Sequence, residues 1–127
     1  MRLEKSVEEK YTIIKLLEEK LDSRISPELK GEFINLNAQG SRNIILNLEN
    51  VKYVDSSGLS AILTANRLCG TSGGILVICH INSHVEKLIK ISHLESVLNI
   101  LPTQDEAVQE VFMAEIENEI SNDAETL

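Results

Sequence analysis

Apolar residues fall along this chain in two rhythms. Short, β-branched or alternating runs read as strands, and runs spaced by three and four read as helices. Leu3 to Ser6 and Tyr11 to Leu17 predict two strands, with Val7-Glu8-Glu9-Lys10 turning between them as a hairpin. Ser26-Pro27-Glu28 predicts a helix start, because serine caps, proline suits the first helical position and glutamate favours the positive end. Leu29, Phe33 and Leu36 then share one helical face, and Gly40 closes the unit. Asn43 to Leu48 is almost continuously apolar, the pattern of a strand covered on both faces, and Tyr53-Val54 follows as a further strand-like pair. Leu59, Ile62, Leu63 and Leu68, with Ala61 and Ala65, make an amphipathic helix that Gly70 is expected to stop.

After Gly73-Gly74 the run Ile75 to Cys79 predicts a second buried strand. Ser83-His84-Val85-Glu86 has the spacing of a capping box, followed by Val85, Leu88 and Ile89 at helical intervals. Val97 to Leu101 fits a short edge strand ended by Pro102. A last helix from Asp105 carries Val108, Val111, Phe112, Ile116 and Ile120, a stripe expected to pack on the sheet or the body, with a dimer or partner interface as the alternative. Ser121 to Leu127 reads as a frayed tail beyond a domain spanning residues 1–120.

The resulting order, β-β-α-β-α-β-α-β-α, belongs to the α/β class. Successive strand–helix–strand crossovers imply a mixed, largely parallel sheet of about four or five strands, with about four flanking helices and the N-terminal hairpin at one side. A chain of 127 residues fits one such domain.

Charge narrows the partners. Of 20 acidic residues, eight lie between Asp105 and Glu125, a stretch without Lys or Arg; the other 12 balance all 12 bases. The body is neutral and the C-terminal helix carries the excess, unlike the basic footprint of nucleic-acid binding. Aromatics at 3% and the lack of Trp leave no stacking platform. Cys69 and Cys79, the only cysteines, sit among apolar residues and are expected to be buried thiols in a reducing compartment. The N-terminus does not resemble a signal peptide and no apolar run reaches membrane-spanning length, so a soluble cytoplasmic protein is expected.

Candidate chemistry gathers at Val54-Asp55-Ser56-Ser57-Gly58-Leu59, between a strand and a helix. A serine there is a nucleophile, a phosphate acceptor or a cap. A nucleophile elbow needs Gly two residues before Ser, where this chain has Val54, and His80, His84 and His93 each lie beside a different element. No catalytic residue is therefore assigned. His80 and His84 would not share a helical face, so no metal site is expected, and Gly70 to Gly74 lacks the Lys-Ser/Thr ending of a phosphate loop. No cofactor is expected. Ser56 is placed in the loop before the helix and Ser57 at the N-cap, with Gly58 keeping the backbone open to an approaching molecule.

Asn43 to Leu48 followed by Val51 to Leu59, continued by Gly73 to Cys79 and Val85 to Ile89, resembles the STAS family, whose bacterial members are the anti-sigma factor antagonists. The resemblance covers roughly Leu3 to Val111. It implies a phospho-switchable binding protein. The unmodified form binds an anti-sigma factor that is also a serine kinase and so frees a sigma factor; phosphorylation on the serine after the Asp, here Ser56, releases it; and a serine phosphatase restores it. Asp55, Ser57 and Gly58 would shape the phosphosite. The family's Gly-Glu-Leu-Asp stretch corresponds to Glu19-Lys20-Leu21-Asp22, where Leu21 and Asp22 match and the first two residues depart. Asp22, with Ser60, Thr64 and Arg67 on the polar side of the following helix, would border the docking surface. Two other readings remain: a STAS scaffold or transport-complex subunit unconnected to a sigma factor, and a small-molecule or nucleotide-binding sensor domain.

Overall fold

The computed structural model describes residues 1–126, with side chains to Ser121. Eleven elements follow in chain order: β1 (Leu3–Val7), β2 (Thr12–Leu16), β3 (Lys20–Leu21), α1 (Ser26–Ala38), β4 (Ile44–Asn47), β5 (Tyr53–Val54), α2 (Ser56–Thr71), β6 (Leu76–Cys79), α3 (Ser83–Ile91), β7 (Asn99–Leu101) and α4 (Gln104–Thr126). Five strands form one sheet in the order β1-β2-β4-β6-β7. The hairpin pair β1–β2 is antiparallel and every later pairing in this sheet is parallel. This is the mixed α/β sheet with four helices that the periodicity predicts. The two-residue strands β3 and β5 form a separate parallel ladder, Lys20 to Tyr53 and Leu21 to Val54; β5 is the strand-like pair of the sequence, whereas β3 is too short for periodicity to signal.

Alternation along the buried strands divides the interior. Ile14, Leu16, Ile44, Leu46 and Ile78 join Leu29 and Phe33 of α1, Ile62 and Ala65 of α2, and Val85 and Ile89 of α3 in the larger core. Ile45, Val77 and Cys79 pack on the opposite side with Ala107 and Val111 of α4. Burying both faces calls for apolar residues along β4 and β6, which explains the runs Ile44-Ile45-Leu46 and Leu76 to Cys79; only Asn47, at the end of β4, is a buried polar exception. Cys69 and Cys79 are free and buried, and burial pushes both thiols up to about 11.

Several local expectations are corrected. Ser26 does not cap α1; Ile25 holds that position, and the Ser26 hydroxyl donates to the Asp22 carbonyl at 2.6 Å. α2 runs through Gly70 to Thr71, and the left-handed residue that ends it is Gly73, with φ +82°. α3 is capped by Asn82, whose side chain accepts from the Val85 N–H at 2.8 Å, in place of a Ser83–Glu86 box. α4 continues without a break across Ser121 to Thr126; of the expected tail, Leu127 lies outside the described residues.

The stripe on α4 divides as well. Val111 is buried and Val108 half-buried, but Phe112, Ile116 and Ile120 are exposed. Its buried face includes Glu115, which accepts from Arg42 Nη2 at 2.6 Å and from Asn43 Nδ2 at 2.7 Å. Burial opposes the charge on Glu115, but these hydrogen bonds outweigh it and hold the carboxyl below its ordinary value. Asn43 also donates to the Lys10 carbonyl and accepts from the Ile75 N–H. Together Glu115 and Asn43 fasten α4 to the entrances of β2, β4 and β6. No helix among the described residues is long and apolar enough to cross a membrane.

Candidate functional site

The start of α2 brings the sequence motif together with the β3–α1 loop. β5 delivers the chain alongside β3, and the Asp55 N–H donates to the Leu21 carbonyl at 3.1 Å. Asp55 is extended, with φ −97° and ψ −175°, and it is the N-cap. Its Oδ1 accepts from the Gly58 N–H at 2.9 Å and from the Ser57 hydroxyl at 2.6 Å. The Ser57 hydroxyl and then the Gly58 N–H hold the Asp55 carboxyl below its ordinary value. Ser57 is thus inside the first turn, and Ser56 is the first helical residue rather than part of the preceding loop.

The two hydroxyls have separate fates. Ser57 Oγ lies 3.1 Å from Ser26 Oγ, which itself donates to the Asp22 carbonyl. With the Ser26 proton on the Asp22 carbonyl and the Ser57 proton on the Asp55 carboxylate, both protons are committed, and the two hydroxyl oxygens stand in contact. Ser56 is exposed, and among the described residues its hydroxyl has no hydrogen-bond partner. The sequence separates Ser26 from Ser57 by 31 residues and gives no sign of this contact.

Gly58 has a different job from the one expected. It is buried, and a Cβ there would lie 2.5 Å from the Leu21 carbonyl oxygen and 2.7 Å from Leu21 Cγ. The missing side chain admits β3 from within the protein, not a molecule from outside. Asp22 follows directly in the chain, half-buried, with Arg24 Nη2 at 3.0 Å from its Oδ2. The Arg24 hydrogen bond lowers the Asp22 pKa, and the nearby Asp55 charge works the other way. Asp22, Asp55, Ser56, Ser57 and Gly58 therefore share one locality. Ser60, Thr64 and Arg67 continue from it along α2: Ser60 and Arg67 are exposed, and Thr64 is half-buried with its hydroxyl on the Ser60 carbonyl.

Tyr53 adds an aromatic edge that the motif did not indicate. It is 44% exposed and stacks on His84 of α3 at 5.6 Å between ring centroids. His80 lies elsewhere and accepts the Gln104 N–H on Nε2. Among the described residues no group of three His, Cys, Asp or Glu side chains is arranged to hold a metal ion.

A sheet covered by helices on both faces, with an antiparallel edge hairpin and an Asp-Ser-Ser-Gly helix start, defines a class, and the STAS domain model matches residues 3–107. The chain belongs to the STAS domain family. Its relatives include the anti-sigma F factor antagonist of Paenibacillus polymyxa, 33% identical over 69 residues, or 54% of this chain. That alignment spans 59% of the relative's own length. The anti-sigma-B factor antagonist of Staphylococcus aureus is 27% identical over 100 residues, covering 79% of this chain and 92% of that protein. In fold the chain is similar to the Bacillus cell fate determinant SpoIIAA in its phosphorylated form, with a TM-score of 0.67 at 24% identity, covering 87% and 97% of the two chains.

Proposed function

We propose that this protein is an anti-sigma factor antagonist switched by phosphorylation on Ser56. One observation carries the choice of residue: Ser56 is exposed at the first turn of α2, whereas the neighbouring Ser57 hydroxyl is tied to Asp55 and Ser26. The names of the relatives support the role, since both are antagonists of anti-sigma factors. The partner in this reading is an anti-sigma factor with serine kinase activity, and a serine phosphatase reverses the mark. Ser56 is then a substrate, the protein itself is not an enzyme, and it works in the cytoplasm with the transcription machinery.

The physics of the switch is local. A phosphate brings about −1.5 to −2 charges at neutral pH. Asp55 already takes the Gly58 N–H, one of the first donors of α2, and so competes with the new dianion at the helix end. The phosphate stays on the surface beside two carboxylates, Asp55 and Asp22. A partner docked over α2 must bury that charge or leave, and each ~1.4 kcal/mol of lost contact reduces affinity tenfold. Asp22 and the exposed Tyr53 near Ser56, with Ser60, Thr64 and Arg67 further along α2, are the contact residues in this reading.

Incubation with a cognate serine kinase and ATP, followed by intact-mass measurement, tests it. Wild type and Ser57→Ala should gain one phosphate, and Ser56→Ala none. Ser56→Asp should weaken binding to the anti-sigma factor by at least about tenfold. Phosphate on Ser57 alone would refute the site, and undiminished binding by Ser56→Asp would refute the switch.

A further inference from the structure

The outward face of α4 is apolar where a solvated helix should be polar. Phe112 is 44% exposed, Met113 54%, Ile116 48% and Ile120 63%. At about 100° per residue, Phe112, Ile116 and Ile120 recur every four residues as one stripe, with Met113 beside it. The core-facing set Ala107, Val111 and Glu115 has the same spacing on the other side. Val111 and Ile120 are two and a half turns apart, which sets them on opposite faces. Tyr11 meets Phe112 edge-on at 5.9 Å and extends the patch towards the hairpin. Single exposed apolar residues are ordinary, but four at helical spacing on one element form a contact surface.

Charge selects the occupant. Glu106, Glu110, Glu117 and Glu119 are exposed along the flanks of the stripe, and no Lys or Arg occurs after residue 104. A second copy laid along α4 would oppose carboxylates to carboxylates with no cation between them. Nucleic acid and anionic membranes are repelled for the same reason. A helix with an apolar seam flanked by Lys or Arg meets both features at once, in the manner of paired helices whose flanking charges choose the partner. We propose that α4 is a second docking surface, and that its occupant is a cationic amphipathic helix of a partner protein. The stripe from Phe112 to Ile120 is about 12 Å long, enough for two or three turns of such a helix. It lies across the sheet from α1, α2 and α3, so it is available whatever the state of Ser56.

Two synthetic peptides of roughly 20 residues test the surface, long enough to form a helix. They share a Leu seam; one carries Lys at the flanking positions and the other Glu. Binding to the full chain is followed by fluorescence anisotropy at low and moderate salt. The Lys peptide should bind and weaken with salt, and the Glu peptide should not bind. Ile116→Ser with Ile120→Ser should cost at least about tenfold in affinity. Glu110→Gln with Glu117→Gln should weaken binding and flatten its salt dependence, and Ser56→Asp should leave it unchanged. Equal binding of the Lys peptide by the Ile116→Ser/Ile120→Ser variant would overturn the proposal, as would binding of the Glu peptide. So would a wild-type dimer in sedimentation that the same double variant dissolves, because the occupant would then be a second copy.

Discussion

At Gly58 one hydrogen atom in place of a methyl group decides whether α2 can begin against β3. The β5–β3 ladder brings the Leu21 carbonyl to where a Cβ would stand, and that carbonyl also receives the Asp55 N–H. Gly58→Ala should therefore destabilise the fold by about 1–3 kcal/mol, the usual cost of forcing extra volume into a packed site. Gly70 has open space around it in the same helix. Gly70→Ala should stabilise by about 0.5–1 kcal/mol, since alanine has less backbone freedom to lose. Chemical denaturation of the two variants checks the contrast. Equal effects would mean that the Leu21 contact is not what Gly58 serves.

At the scale of elements, the helix starts show what the sequence does and does not carry. α2 and α3 are each preceded by adjacent candidate caps, Asp55 before Ser56-Ser57 and Asn82 before Ser83. Apolar spacing locates the helices but is indifferent to a shift of one or two residues in the start. Extended backbone at Asp55 and Asn82 makes the choice, and it is set by tertiary anchors: Asp55 N–H on Leu21, and Asn82 Nδ2 on the Lys52 carbonyl. The same limit hid β3, its pairing with β5 and the Ser26–Ser57 contact, which join residues some 30 positions apart. The large strands, the crossovers and the Asp-Ser-Ser-Gly locality were legible because each is written in consecutive residues.

The cap on α2 carries a pH signature. Asp55 has a folded pKa below its ordinary value of 3.8, so its contribution is fully present above that value and is lost as pH falls through the depressed one. Asp22 behaves in the same direction through Arg24. Urea denaturation between about pH 6 and about pH 3 should show stability falling towards acid. Asp55→Asn, which still caps but cannot titrate, should fall less steeply. An unchanged slope would remove Asp55 as a source.

For the molecule as a whole, the two faces of the sheet are unequally secured. Three helices cover one side, and α4 covers the other with Ala107, Val111 and a buried Glu115. Removing that carboxylate leaves Asn43 with one partner fewer on its amide group. Glu115→Ala should cost about 1–3 kcal/mol, as for other buried polar groups deprived of a partner. The half-exposed Arg42 end is screened by water and adds little to this. Glu115→Gln, which still offers Asn43 a carbonyl, should lose less. Urea midpoints of the two variants decide the matter, and a stable Glu115→Ala would show that apolar packing alone holds α4.

The strand order β1-β2-β4-β6-β7 has a further consequence for how the chain is made. Reading across the sheet repeats the order of synthesis, so every new strand joins at the growing edge and none is threaded between two earlier ones. A nascent chain leaving the ribosome can add strands one after another as they emerge. The exception is the far side, where Ile45, Val77 and Cys79 stay open to water until α4, which follows all of the strands in the chain, closes over them.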